Sequence, residues 1–224
     1  MAVEPIGMDR RFLLRGVSWA TYEALLADLG GRPIRLSYDA GELELMSPSG
    51  EHDRLKHRFG RLVTALTEEL DIPVDGCGSA TLRRGDVNKG LEPDEGFYIR
   101  NEPRVRGKIA IDLDVDPPPD LVIEIEIASS SVDREGIYAA LGVPELWRHD
   151  GESLRVFRLR PDGVAYEPAE VSPSFPSLPL REFEGFIRPR PGEDQTSWSK
   201  RFRAWVRDRV LPLHRAQGPG AGEV

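Results

Sequence analysis

Apolar residues recur at helical spacing after Ser18, at Tyr22, Leu25, Leu26 and Leu29, and Gly30-Gly31 then supplies a stop. The spacing predicts a first helix capped by Ser18. Two short alternating runs follow, residues 34–38 and 42–46, joined by Asp39-Ala40-Gly41, the pattern of a β-hairpin. Ser47-Pro48-Ser49-Gly50 breaks the strand, and Ser49 caps a long helix whose buried stripe is Leu55, Phe59, Leu62, Val63, Leu66 and Leu70. Beyond Pro73 the period shortens, predicting strands at 80–83, 95–99 and 121–127. A helix over 131–141 ends at Gly142, strands follow at 145–148 and 154–159, and a last helix over 197–211 is stopped by Pro212.

The proline-rich stretches at 117–119 and 172–179 read as loops within one unit. No internal repeat is evident. These elements predict an α/β fold with a mixed sheet flanked by helices, an N-terminal helix and hairpin, and a C-terminal helix. Residues 1–17 form an N-terminal segment, 18–160 the domain, 161–215 a C-terminal extension carrying a basic helix, and 216–224 a disordered Gly-rich tail.

Composition narrows the class. At 224 residues, 39% hydrophobic and 30% charged, the chain supports one packed core, which excludes wholly disordered and collagen-like proteins. No apolar run approaches the roughly 20 residues of a membrane span, and the first residues lack the apolar core of a secretion signal. Cys77 stands alone, so disulfide frameworks and Cys-rich zinc sites are excluded. The expected location is cytoplasmic, with no membrane partner. The net charge of -8 means that a nucleic-acid partner must be met through a local basic patch or bound cations.

The segment Leu121-Val122-Ile123-Glu124-Ile125-Glu126-Ile127 is the most informative. Alternation puts Val122, Glu124 and Glu126 on the face opposite Leu121, Ile123, Ile125 and Ile127. Two carboxylates on so apolar a strand belong either to an exposed face or to a divalent-metal site, since hard oxygen ligands suit Mg²⁺ or Mn²⁺. Asp94, after Pro93 at the mouth of the preceding strand, is either a turn aspartate or a second ligand converging with Glu124.

Four segments come in order: Gly78-Ser79-Ala80-Thr81-Leu82-Arg83, Gly90-Leu91-Glu92-Pro93-Asp94, Ile123-Glu124-Ile125-Glu126-Ile127, and the run from Ile137-Tyr138 through Gly142-Val143-Pro144-Glu145-Leu146-Trp147. Together they resemble the Uma2 family (DUF820) of restriction-endonuclease-like proteins, within the PD-(D/E)XK nuclease superfamily, over about residues 18–160. The resemblance implies a restriction-endonuclease-like core and a metal-dependent endonuclease acting on nucleic acid, DNA above all. It implies that Asp94 and Glu124 bind Mg²⁺ or Mn²⁺ with the Ile125 carbonyl as a third ligand. The superfamily's lysine falls at Glu126, which would assist the metal or orient water. The position displaced onto the next helix is Arg134, which stabilises phosphate charge but cannot act as a base. Lys89 and Lys108 are the nearest lysines in sequence. Glu51-His52 also resembles a family feature, so His52 joins the candidates, a structural or exposed histidine being the alternative; Tyr138 resembles a family position too but reads as core. By analogy with nucleases that cut both strands, the chain would form a homodimer. A catalytically degenerate nucleic-acid-binding or regulatory module is the alternative, favoured by the absent lysine and the acidic charge.

Other patterns fail. Asp112, Asp114 and Asp116 begin like a calcium loop, but Pro117 takes the glycine position and Ile123 the closing glutamate. Gly76-Cys77-Gly78 lacks the third glycine of a dinucleotide loop, and the four histidines show no ligand spacing. In the last helix Lys200, Arg201, Arg203, Arg207 and Arg209 surround Phe202, Trp205 and Val206: either a packed helix with a solvated basic rim or a nucleic-acid surface.

Overall fold

The computed structural model describes residues 9–127 and 129–218. Strand β1 (Arg10–Arg15) precedes helix α1 (Trp19–Leu29), where the Ser18 hydroxyl accepts from Thr21 N as a cap. The hairpin is β2 (Arg35–Asp39) and β3 (Glu42–Ser47), and Ser49 caps α2 (Gly50–Leu70). Short strands β4 (Asp75–Gly76), β5 (Leu82–Arg84), β6 (Lys89–Leu91) and β7 (Glu95–Tyr98) follow. The rest is α3 (Glu102–Val105), β8 (Leu121–Ile125), α4 (Arg134–Leu141), β9 (Glu145–His149), β10 (Leu154–Leu159), β11 (Tyr166–Pro168), α5 (Leu180–Ile187), α6 (Gln195–Trp205), a π-helical turn (Val206–Val210) and α7 (Leu211–Gln217).

The strands build two sheets. The first, β1-β3-β2-β6-β5, is antiparallel throughout, so the hairpin seeds a sheet of its own. The second, β11-β10-β9-β8-β7-β4, is mixed: β8 and β9 run parallel, which requires the crossover that α4 supplies. One face of β8 (Leu121, Ile123, Ile125) packs with the α2 stripe of Leu55, Phe59, Leu62 and Leu66. Val122 on the other face packs with Ile137, Tyr138 and Leu141 of α4. The segment after residue 160 contributes Phe175, Phe183, Trp198 and Phe202 to the α2 core, so it is built into the same hydrophobic interior. Tyr22, Leu36, Tyr38 and Leu43 form a smaller core beneath α1.

Three details differ from the sequence reading. β1 is an ordered edge strand whose outer face exposes Phe12 and Leu14. β8 ends at Ile125, so Glu126 lies just past the strand. Pro212 does not stop the last helix. Its ring would meet the carbonyl four residues back, and the preceding turn widens, with Leu211 N donating to Val206 O, so that helix continues through Gln217. The stretch read as a disordered tail thus begins inside α7, and residues 219–224 lie outside the described residues. No helix among the described residues is long and apolar enough to cross a membrane.

Candidate active site

β7 and β8 are antiparallel with Glu95 opposite Ile123, so one step further along the ladder Asp94 stands opposite Glu124. Cross-strand carboxylates repel, and both are buried, at 2% and 4% exposure. The fold compensates them from two directions. Arg35, at the start of β2 in the other sheet, forms an ion pair with Asp94. Arg134, the first residue of α4, places Nη2 2.6 Å from Glu124 Oε1. One helical turn later Tyr138 donates its hydroxyl to the same oxygen, the i, i+4 relation that puts both side chains on one face of α4. Arg134 also donates to the Glu92 carbonyl at 3.1 Å and to the Ser37 hydroxyl, tying β2 and the approach to β7 onto β8.

Asp94 is fixed further. Its Oδ2 accepts from Ile125 N at 2.6 Å, and His52 Nε2 lies 3.1 Å from the same atom. His52 occupies the first turn of α2 and is fully buried. Neither of its ring nitrogens has a well-formed hydrogen bond among the described residues. Burial first, opposed by Asp9 and reinforced by Arg35, pushes its pKa down to about 4, so the ring is neutral at physiological pH. Arg134 is held above its ordinary value: burial opposes the charge, but Glu124 and Tyr138 outweigh it. Burial also lifts Tyr138 well above its ordinary value.

Two further acids flank the pair. Glu92 accepts from Leu36 N at 2.9 Å, and burial raises its pKa. Burial likewise raises Glu95, partly offset by Lys56, which lies one turn beyond His52 on α2. Burial, then the nearby Arg35 charge, lowers the Lys56 pKa.

Of the residues singled out in the sequence, the fold brings together Asp94, Glu124, Arg134, His52 and the Ile125 main chain. Glu126 does not join them: it pairs with Arg148 of β9 (Nε 3.0 Å), which also binds Glu135. Lys89 and Lys108 are engaged elsewhere, by Asp39 and Asp116. Arg35, Ser37 and Lys56 were not legible as site residues. Tyr138, read from the sequence as core, is buried core and also donates to Glu124; its i, i+4 spacing from Arg134 is the signal that could have found that contact. The Glu124 face of β8 is not an exposed one.

The donors gathered here are hard oxygens, Asp94 and Glu124. Among the described residues no three His, Cys, Asp or Glu side chains form a ligand group. Two carboxylates nevertheless fit Mg²⁺, which is held by one or two acids and completes its shell with water and phosphate. The arginines mark where this buried pair demands positive charge.

The sequence pattern of the Uma2 family, described as "Putative restriction endonuclease", matches residues 19–190. No curated protein matches the chain. Among solved structures, similarity extends to "a putative nuclease belonging to DUF820" from Anabaena variabilis ATCC 29413. That match has 15% identity, covers 76% of this chain and 90% of the other, and has a TM-score of 0.40.

Proposed function

Since the chain belongs to the Uma2 family, we propose that it hydrolyses phosphodiester bonds in nucleic acid, DNA foremost, at the Asp94–Glu124 pair, with Mg²⁺ or Mn²⁺. The observation that carries this reading is the convergence of the two cross-strand acids with buried His52 and two guanidiniums. Asp94 and Glu124 would hold the cation, which supplies Lewis acidity and charge neutralisation when bound. Arg134 and Arg35 orient the carboxylates and present fixed positive charge to a phosphate. His52, neutral and beside Asp94, has a free ring nitrogen with which to hold or pass a proton.

The test is cleavage of supercoiled plasmid and single-stranded DNA in Mg²⁺, Mn²⁺ or EDTA. We expect Asp94→Asn and Glu124→Gln to retain the wild-type circular dichroism and fall below about one hundredth of its rate. Unchanged cleavage in either variant refutes the assignment.

One observation favours a second reading. The Asp94 and Glu124 side chains are only 3% and 5% exposed and are already capped by arginine, an arrangement suited to a non-cleaving nucleic-acid-binding or regulatory module. DNA binding in EDTA together with no cleavage under either metal decides for it.

A further inference from the structure

Among the described residues many surface arginines are answered by carboxylates: Arg15 by Glu42, Arg158 by Glu167, Arg207 by Glu69, Arg209 by Glu182. The basic rim of the last helix follows this rule, since Arg201 binds Glu193 and Arg203 binds Glu68 and Glu69. The solvent side of α2 does not. Arg54, Arg58 and Arg61 follow at spacings of four and three, with His57 beside them, as one stripe flanking the buried Leu55, Phe59 and Leu62; Arg54 and His57 are exposed, Arg58 and Arg61 half-buried. Among the described residues none of the four forms a salt bridge to a carboxylate, and Arg61 instead donates to Gln195 Oε1 at 3.1 Å and lies over the Trp198 ring.

Like charges are crowded here. Arg58 is held below its ordinary pKa by burial and then by the neighbouring Arg188 and Arg54, with Glu51 a weaker counterweight. A protein of net charge -8 has acids to spare for neutralising such a patch, yet among the described residues none of these arginines is ion-paired to one. A groove of about 240 Å³ adjoins the Arg61 end of the stripe, lined by His57, Arg61, Thr64, Ser199 and Arg203, with Glu95 as its one carboxylate, so hydroxyl donors sit beside the guanidiniums.

We infer that the Arg54–Arg58–Arg61 stripe docks the phosphate backbone of DNA engaged by this domain. The inference rests on the nucleic-acid reading above. Charge complementarity identifies the occupant. From Arg54 to Arg61 the helix advances about 10 Å, the span of about three nucleotide steps, and the stripe starts within one turn of His52.

The experiment is fluorescence anisotropy of a labelled DNA duplex with the full chain in EDTA, over a salt series. Arg54→Gln/Arg58→Gln is compared with the control Arg207→Gln/Arg209→Gln, whose arginines are ion-paired. Arg61 is left intact because it also packs on Trp198. We expect the slope of log affinity against log salt to fall by about one unit per stripe arginine removed and to be unchanged in the control. An unchanged slope in the stripe variant, an equal loss in the control, or no wild-type binding in EDTA overturns the proposal. Cleavage is scored separately with Glu124→Gln. Stripe-dependent binding without cleavage refutes the nuclease reading and leaves the docking surface standing, whereas cleavage with stripe-independent binding does the reverse.

Discussion

Arg134 makes contacts in three directions, to Ser37, the Glu92 carbonyl and Glu124, from a nearly buried position. Removing one partner of a buried ion pair strands the other charge, which costs more than the pair itself contributes. Arg134→Ala should therefore destabilise the fold by about 3–5 kcal/mol in urea unfolding, with Glu124→Leu added in the double variant restoring much of the loss. Arg35 addresses Asp94 in the same way. On the metal-site reading proposed above, guanidinium and ion compete for Asp94, so in Arg35→Gln Mg²⁺ should raise the melting temperature more than it does in wild type. Equal shifts in the two proteins would show that guanidinium and ion do not compete.

At the scale of elements, Glu145 anchors β9 to the loop that leads into the C-terminal helices. Its carboxylate accepts from Trp147 Nε1 at 2.6 Å, the Ser172 hydroxyl at 2.7 Å and Ser174 N at 2.7 Å. Glu145→Ala leaves two buried donors and one half-buried donor unmet and should cost about 2–4 kcal/mol by chemical denaturation; Glu145→Gln, which keeps an acceptor, should cost less. A smaller loss in Ala than in Gln would refute this account. The elements that were legible in the sequence carry local signals: the Ser18 and Ser49 caps, the α2 stripe, and Gly142 closing α4 at φ +76°. Those that were not lack them. β1 is an edge strand with apolar side chains facing outward, and β6 is Lys-Gly-Leu, where a β-carbon on Gly90 would stand 2.5 Å from the Tyr22 hydroxyl. Its glycine answers a distant tyrosine that no local pattern reveals.

Across the whole molecule, burial keeps both His52 and His149 below their ordinary pKa. The unfolded chain takes up these protons near pH 6.5 and the folded chain only at lower pH, about 4 for His52. Stability supplied by these groups thus falls as pH drops from about 6.5 toward about 4, while Glu92, Glu95 and Glu145, raised by burial, act oppositely just above their ordinary values. His149→Gln should flatten the dependence of unfolding free energy on pH in that range by up to about 1.4 kcal/mol per pH unit; an unaltered slope would mean that His149 takes up its proton equally in both states. The candidate site was legible only in part for the same reason of scale. Strand alternation and Pro93 singled out Glu124 and Asp94 as one of two alternatives, the ordered family segments pointed to the site reading, and Arg134 with Tyr138 share a helical spacing. Arg35 reaches Asp94 only because the two sheets meet, and paired arginines cannot be told from unpaired ones until Glu68, Glu69 and Glu193 arrive from other elements. Helix α2, finally, turns His52 inward and Arg54, Arg58 and Arg61 outward on one rigid rod. A single residue inserted between Asp53 and Leu55 would rotate one half against the other by about 100°. Chemistry and grip are therefore geared together, and a lineage that shifts this helix loses or re-aims both in one step.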